Sequence, residues 1–144
     1  MRKRFKVRDT RAGFNDEEAQ VYGLELEKIK KKQGKLTPQL VLKEAKKRKS
    51  PLHDYFVWDD SEAGQQWRLQ QARTMIGNIV EVVLVEGKKT AQRSFFAVKT
   101  GKQAEYVTLK EAVTIPSHRQ AILKKIITHL ENTTVLMKMF QEIK

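Results

Sequence analysis

Residues 59–98, DDSEAGQQWRLQQARTMIGNIVEVVLVEGKKTAQRSFFAV, contain the change of pattern that decides the fold. The stretch opens on two aspartates and a serine, side chains that cap free N–H groups at the start of a helix. β-Branched residues then replace the helical pattern and favour strands. We predict a helix over 61–77, strands over 80–85 and 94–98, and a turn over 86–89. A helix that leads directly into a hairpin with a basic tip predicts an α+β fold.

The predicted helix 61–77 has an apolar face and an opposite polar face when its residues are placed 100° apart. The apolar face holds Leu69, Ala72, Met75 and Ile76, and the polar face holds Gln66, Gln70, Arg73 and Gly77. Arg68 falls on the apolar side, where a charged group needs a partner. We therefore predict a structural ion pair between Arg68 and Asp59 or Asp60.

Two further helices are predicted upstream from their end signals. Asn15 with Glu18 forms a capping box for a helix over 16–32. Thr37 and Pro38 mark the start of a second helix. We expect this helix to end near residue 48 because the residue before Pro51 is steered away from helical geometry. The bulky side chains of the compact segment 51–58 are expected in the core.

Downstream, a third short strand at 106–107 and a brief helix from 108 to 113 precede a helix predicted over 117–143. This last helix is a rod of about 40 Å if it is continuous, although weak helix formers at 132–135 favour a break. Its broad apolar face packs within the chain or forms a homodimer. The predicted divisions are a basic arm (1–13), a helical core with a β-hairpin (14–115) and a C-terminal helical segment (116–144).

Charge is the strongest compositional signal. The chain holds 29 lysine and arginine residues against 17 acids, a net charge of +12. Residues 1–50 carry +9 of this excess, and residues 51–144 only +3. Such clustering indicates a polyanionic partner, of which nucleic acid is the commonest inside cells. The alternative is that the charge only keeps the protein in solution.

The composition excludes several classes of protein. The absence of cysteine removes disulfides, thiolate metal sites and cysteine nucleophiles. The sequence contains no apolar run long enough to predict a membrane segment, so we expect a cytoplasmic protein. His53, His118 and His129 lack metal-site spacing, and no phosphate-binding glycine loop occurs, so no cofactor, metal or enzymatic activity is expected. A magnesium-dependent nuclease built on Asp54, Asp59 and Asp60 is the less favoured alternative.

Helices 37–48 and 61–77 followed by a hairpin have the order of a helix-turn-helix variant with a wing. The resulting prediction is a mainly helical, helix-turn-helix-like core, although the connection 49–60 is longer than the usual turn. The second helix would read DNA bases with Gln66, Gln70 and Arg73. The candidate phosphate contacts are Arg2, Lys3, Arg4, Lys46, Lys47, Lys49, Lys88, Lys89 and Arg93. The competing interpretation is a helix face that is simply solvated.

A long motif resembles a family of small proteins encoded by tailed phages and prophages. It comprises Ser50-Pro51-Leu52-His53, Phe56, Trp58-Asp59-Asp60, Ala63, Trp67-Arg68-Leu69, Gln71-Ala72-Arg73 and Ile76, after Gly34-Lys35-Leu36-Thr37-Pro38. The resemblance implies a viral or mobile-element origin and a bacterial host cell. It implies no catalytic residues, and supports work on DNA or on the proteins that manage it.

These observations support two hypotheses for the function. The first is a non-enzymatic accessory or regulatory protein that binds double-stranded DNA in transcription, recombination or replication. The second is an adaptor that uses the terminal helix and the hairpin edge to bind a phage or host enzyme, such as an integrase, another recombinase or a polymerase.

Overall fold

The computed structural model describes residues 4–58, 61–100 and 103–142. Its helices are α1 Asp16–Gln33, α2 Pro38–Ala45, α3 Glu62–Asn78, α4 Leu109–Thr114 and α5 Pro116–Glu142. Its strands are β1 Phe5–Val7, β2 Ile79–Val85, β3 Lys88–Arg93, β4 Phe95–Thr100 and β5 Gln103–Thr108. The predicted α+β class, with β-hairpins and a long C-terminal helix, is confirmed. Within the described part of the chain, no helix is both long and apolar enough to cross a membrane.

The predicted starts of α1 and α2 are confirmed by their caps. The Asn15 side chain accepts the Glu18 N–H at 2.8 Å, and the Glu18 carboxylate accepts the Asn15 N–H at 3.2 Å. The Thr37 hydroxyl accepts the Leu40 N–H at 3.2 Å, with Pro38 as the first residue of α2. Such local signals position a helix before any tertiary contact forms.

The predicted end of the second helix near residue 48 is wrong, since α2 ends at Ala45. The Lys47 N–H donates to Glu44 O at 3.2 Å, and the Ser50 N–H donates to Lys47 O at 2.9 Å. These short-range bonds replace the helical ones and turn the chain toward Pro51. The basic residues 46–49 therefore lie in the connection after α2.

The first sheet is three-stranded and has the order β1-β2-β3, antiparallel throughout. Phe5 lies opposite Glu81, and Val7 lies opposite Ile79. Phe5 is 1% exposed and lies directly against Gly23 of α1. Residues 5–7 of the predicted basic arm thus form the short edge strand that their alternation indicates.

The predicted pairing of 80–85 with 94–98 is wrong. β2 pairs instead with β3, Val85 opposite Lys88, across a two-residue turn. Both turn residues, Glu86 (φ 51°) and Gly87 (φ 78°), have left-handed backbone, the geometry that matches the twist of two antiparallel strands. The prediction assumed a four-residue turn. β4 pairs with β5 as a second hairpin, Phe95 opposite Thr108.

The main core collects buried side chains from β1, α1, α2, the 51–58 segment, α3, β2 and β4. Leu52 and Phe56 are buried in it as predicted, whereas Trp58 is 36% exposed and does not belong to the core. The Phe14, Tyr22 and Tyr55 rings contact one another, with centroids 5.3 to 5.8 Å apart. This aromatic group fixes the 51–58 segment to α1.

The chain forms two compact units, Met1–Thr108 and Leu109–Lys144, and the boundary precedes the predicted one at 115/116. In the second unit α4 and α5 contact each other. α5 runs through residues 132–135 without the predicted break. The Thr133 and Thr134 hydroxyls each donate to the carbonyl four residues earlier at 2.8 Å. The polar groups of these weak helix formers are thereby satisfied inside the helix.

Candidate nucleic-acid interface

The exposed face of α3 carries the three predicted base-reading residues. The Ser61 hydroxyl caps the helix by accepting the Gly64 N–H at 3.0 Å. On the opposite side, Ala72, Met75 and Ile76 are fully buried. Gln66, Gln70 and Arg73 are exposed, and their spacings of four and three residues place them in one row. We call these three residues the α3 row.

Gln71 attaches α3 to the segment before it. Its amide donates to Tyr55 O at 3.2 Å, and its carbonyl oxygen accepts the Val57 N–H at the same distance. The long connection between α2 and α3 is therefore held by Gln71, which the sequence identifies only as part of the 50–76 motif. The position of Gln71 between the apolar and polar faces of α3 is the only feature of the sequence that indicates this role.

A groove of about 420 Å³ lies between α2 and α3, and its described lining includes none of the α3 row. It is lined by Gln39, Leu42, Lys43, Lys46, Trp58, Gln65, Arg68 and Leu69, and is called here the α2–α3 groove. Three of these residues are cationic, and none of the lining residues that the structure describes is acidic. Such a lining attracts an anion. Of the predicted phosphate contacts, the groove contains Lys46; Lys43, one helical turn earlier, was missed.

Arg68 is half-buried at the edge of this groove, as its place on the apolar side of α3 indicates. Its guanidinium lies over the Trp58 ring, 5.3 Å from the centroid, and donates to Val57 O at 3.3 Å. The Trp58 ring also stacks on the His53 ring, with centroids 5.0 Å apart. These contacts position the arginine. Its predicted partners Asp59 and Asp60 lie outside the described residues, so that ion pair stays a prediction.

The remaining lysines after α2 differ in their surroundings. Lys47 pairs with Glu44 at 3.2 Å, which reduces its value as a phosphate contact. Lys49 is exposed. Arg4 is exposed before β1, whereas Arg2 and Lys3 lie outside the described residues.

The sheet brings together cations that are distant in sequence. Lys6 and Arg93 both lie opposite Val80, one on each neighbouring strand, so their side chains share one face. At a strand spacing of about 4.8 Å, their Cα atoms lie roughly 10 Å apart. Lys89 shares this face, because it lies four residues before Arg93 on β3. Lys88 points to the opposite face. Lys6 was not among the predicted phosphate contacts, although its alternation with Phe5 and Val7 was visible.

A second groove of about 450 Å³ lies on the other side of α3 and contains Trp67 and Gln70 with Tyr22 and Tyr55. It also contains Glu18 and Asp54, so it is less suited to phosphate than the α2–α3 groove.

Burial, and then the neighbouring Glu18 carboxylate, raise the pKa of Tyr22 to about 12. Burial also raises the pKa of Tyr55. Both hydroxyls therefore stay protonated at neutral pH and serve as donors, Tyr55 to Ala12 O at 2.8 Å.

No group of three histidine, aspartate or glutamate side chains within 4–58, 61–100 and 103–142 is arranged to hold a metal ion. Of the proposed nuclease carboxylates, only Asp54 is among these residues.

The chain matches no protein-family model, no curated protein and no solved structure. The resemblance to small phage proteins therefore stays a prediction from the sequence motif.

Proposed function

We propose that this protein is a non-enzymatic accessory or regulatory protein of a phage that binds double-stranded DNA, in transcription, recombination or replication. The observation that carries the proposal is the exposed α3 row, on a helix that also lines the α2–α3 groove where Lys43 and Lys46 lie. Glutamine pairs its amide with the edge of adenine, and arginine pairs its guanidinium with the edge of guanine. An exposed helix with both residue types has the chemistry needed to read the major groove.

The two surfaces have different roles in this proposal. Lys43 and Lys46 of the α2–α3 groove contact phosphates, which gives affinity without sequence preference. The α3 row contacts bases, which gives sequence preference. The shared face of β1 and β3 adds Lys6, Lys89 and Arg93 as further phosphate contacts. Each role predicts a separate effect on binding.

The test is fluorescence anisotropy of a labelled duplex selected by this protein from a random pool, titrated over a range of salt concentrations. Affinity is expected to fall steeply with salt, because each neutralised phosphate releases counterions. Lys46→Gln should weaken binding to all duplexes and lower the slope of log K against log salt by about 1. Gln70→Ala and Arg73→Lys should instead reduce discrimination between the selected and a scrambled duplex, by about 10-fold or more each.

Matched controls lie on α5, where Lys124, Arg119 and Gln120 are exposed. Lys124→Gln, Arg119→Lys and Gln120→Ala should leave both the slope and the discrimination unchanged. Absence of binding to any duplex at low salt would overturn the proposal. Equal losses from the α3 variants and their controls would remove the base-reading role.

A further inference from the structure

α5 leaves a long apolar face without a partner. None of its described residues is buried. Leu130 is 58% exposed and Phe140 is 70% exposed. Amphipathic helices owe most of their stability to burial of the apolar face, and large exposed apolar patches mark interaction sites. This helix therefore needs a surface that covers it.

The spacing of the apolar residues is that of a coiled coil. Intervals of three and four residues alternate along a single line from residue 123 to residue 140. The line consists of Leu123, Ile126, Leu130, Thr133, Met137 and Phe140. We call these six residues the α5 seam. An alternation sustained over 18 residues suits a second helix of matching repeat better than a flat or irregular surface.

The one polar residue of the seam can be buried at little cost. The Thr133 hydroxyl already donates to His129 O at 2.8 Å. Its neighbour Thr134, at the side of the seam, donates to Leu130 O at 2.8 Å. A buried polar group is costly mainly when it lacks a hydrogen bond. Here the hydrogen bonds exist before any association.

The charges of α5 do not oppose association of identical helices. The positions that flank the seam between 122 and 141 are isoleucine, leucine, threonine, glutamine or histidine. The charged residues of this stretch, Lys124, Lys125, Glu131 and Lys138, occupy the outer positions of the repeat. Because no lysine, arginine, aspartate or glutamate flanks the seam, two copies meet without repulsion between such like charges.

The area is sufficient for a dimer. The seam and its flanks hold eight large apolar side chains: Ile122, Leu123, Ile126, Ile127, Leu130, Leu136, Met137 and Phe140. If each buries about 80 Å² of accessible surface, the buried area is roughly 600 Å² per chain. Two chains then bury about 1,200 Å², which is the lower end of stable specific interfaces. We propose that the α5 seam associates with the α5 seam of a second copy of this chain as a coiled coil.

The experiment is sedimentation velocity of the full chain over a range of concentrations. The expected species has twice the chain mass of 16.8 kDa. Met137→Glu, within the seam, should weaken association by about 100-fold, because it places a charge in the interface. Met139→Glu is the matched control, since Met139 lies outside the seam and is equally exposed, 58% against 56%. It should change the dissociation constant less than about threefold.

A second pair of variants tests the same seam by a gain of association. Thr133→Val makes the seam uniformly apolar and should tighten association by about 10-fold. Thr128→Val, outside the seam, should have no effect. The fluorescence of Trp58 and Trp67, both in the first unit, should show an unchanged first-unit fold in every variant.

A wild-type chain that stays monomeric at all concentrations overturns the proposal and leaves this face to the different protein partner of the adaptor hypothesis. Equal effects of Met137→Glu and Met139→Glu, or of the two threonine variants, also overturn it.

Discussion

Phe5 occupies space beside α1 that is available only because residue 23 has no side chain. A Cβ atom built on Gly23 would lie 2.8 Å from Cδ1 of the Phe5 ring, and closer still to two other ring atoms. Gly77 of α3, by contrast, has no neighbouring atom within 4 Å of such a Cβ. Gly23 and Gly77 therefore have opposite roles: Gly23 is required by the packing of Phe5, whereas Gly77 has no packing constraint.

Gly23→Ala is expected to lower the free energy of unfolding by about 1–3 kcal/mol, because the ring must move out of its site. This loss exceeds the gain of up to about 1 kcal/mol that alanine brings in helix propensity. Gly77→Ala should show that gain alone. Urea denaturation of both variants measures the difference. A stabilised Gly23→Ala protein would contradict the packing of Phe5 on α1.

At this scale, the exposure of a helical residue can be predicted, but contacts between distant segments cannot. The exposed α3 row follows from helical spacing alone, whereas the exposure of Trp58 depends on such contacts. Its indole contacts both His53 and Arg68, an arrangement that depends on how the 51–58 segment turns back on α3. Composition suggests only that a tryptophan is buried.

Among the elements, helices with local end signals were predicted well and strand pairing was not. Asn15, Gly34 and Thr37 act on neighbouring backbone groups, so α1 and the start of α2 are fixed by short segments. The partner of β2 depends on the conformation of two turn residues. Residues 86–89 lack apolar side chains and so predict a four-residue turn, which moves the predicted partner strand to 94–98 instead of the observed β3.

Glu86 has a left-handed backbone (φ 51°), which asparagine and glycine adopt more readily than glutamate. Glu86→Asn is therefore expected to raise the free energy of unfolding by about 0.5 kcal/mol. Thermal denaturation followed by circular dichroism measures this change. The same substitution at Lys88, which lies in β3, should lower stability because asparagine is unfavourable in strands. A destabilised Glu86→Asn variant would contradict the two-residue turn.

For the whole molecule, the main core lies entirely within the first unit, between Phe5 and Phe95, with Tyr106 packed against it. In the second unit, the only buried apolar residue among those described is Ala112. The predicted boundary at 116 came from Pro116 and the long apolar run after it. The sequence did not reveal that α4 belongs with that run, since this depends on contacts between the two helices.

A chain ending at Thr108 is therefore expected to fold cooperatively, with a Tm within about 5 °C of the full chain. Trp58 and Trp67 report on this unit alone, so tryptophan fluorescence during thermal denaturation makes the comparison direct. The control is the full chain at a concentration where α5 is monomeric. A broad, non-cooperative transition would show that residues 109–144 are needed to hold the first unit together.

The pairing of β1 with β2 has a consequence for biosynthesis. Phe5 pairs with Glu81, which the ribosome adds about 75 residues later, an interval of several seconds at about 10 residues per second. During that interval the first strand has no sheet to join, and the aromatic ring depends on α1 alone for cover. Helper proteins that recognise apolar nascent segments would find this one accessible until α3 and β2 have emerged.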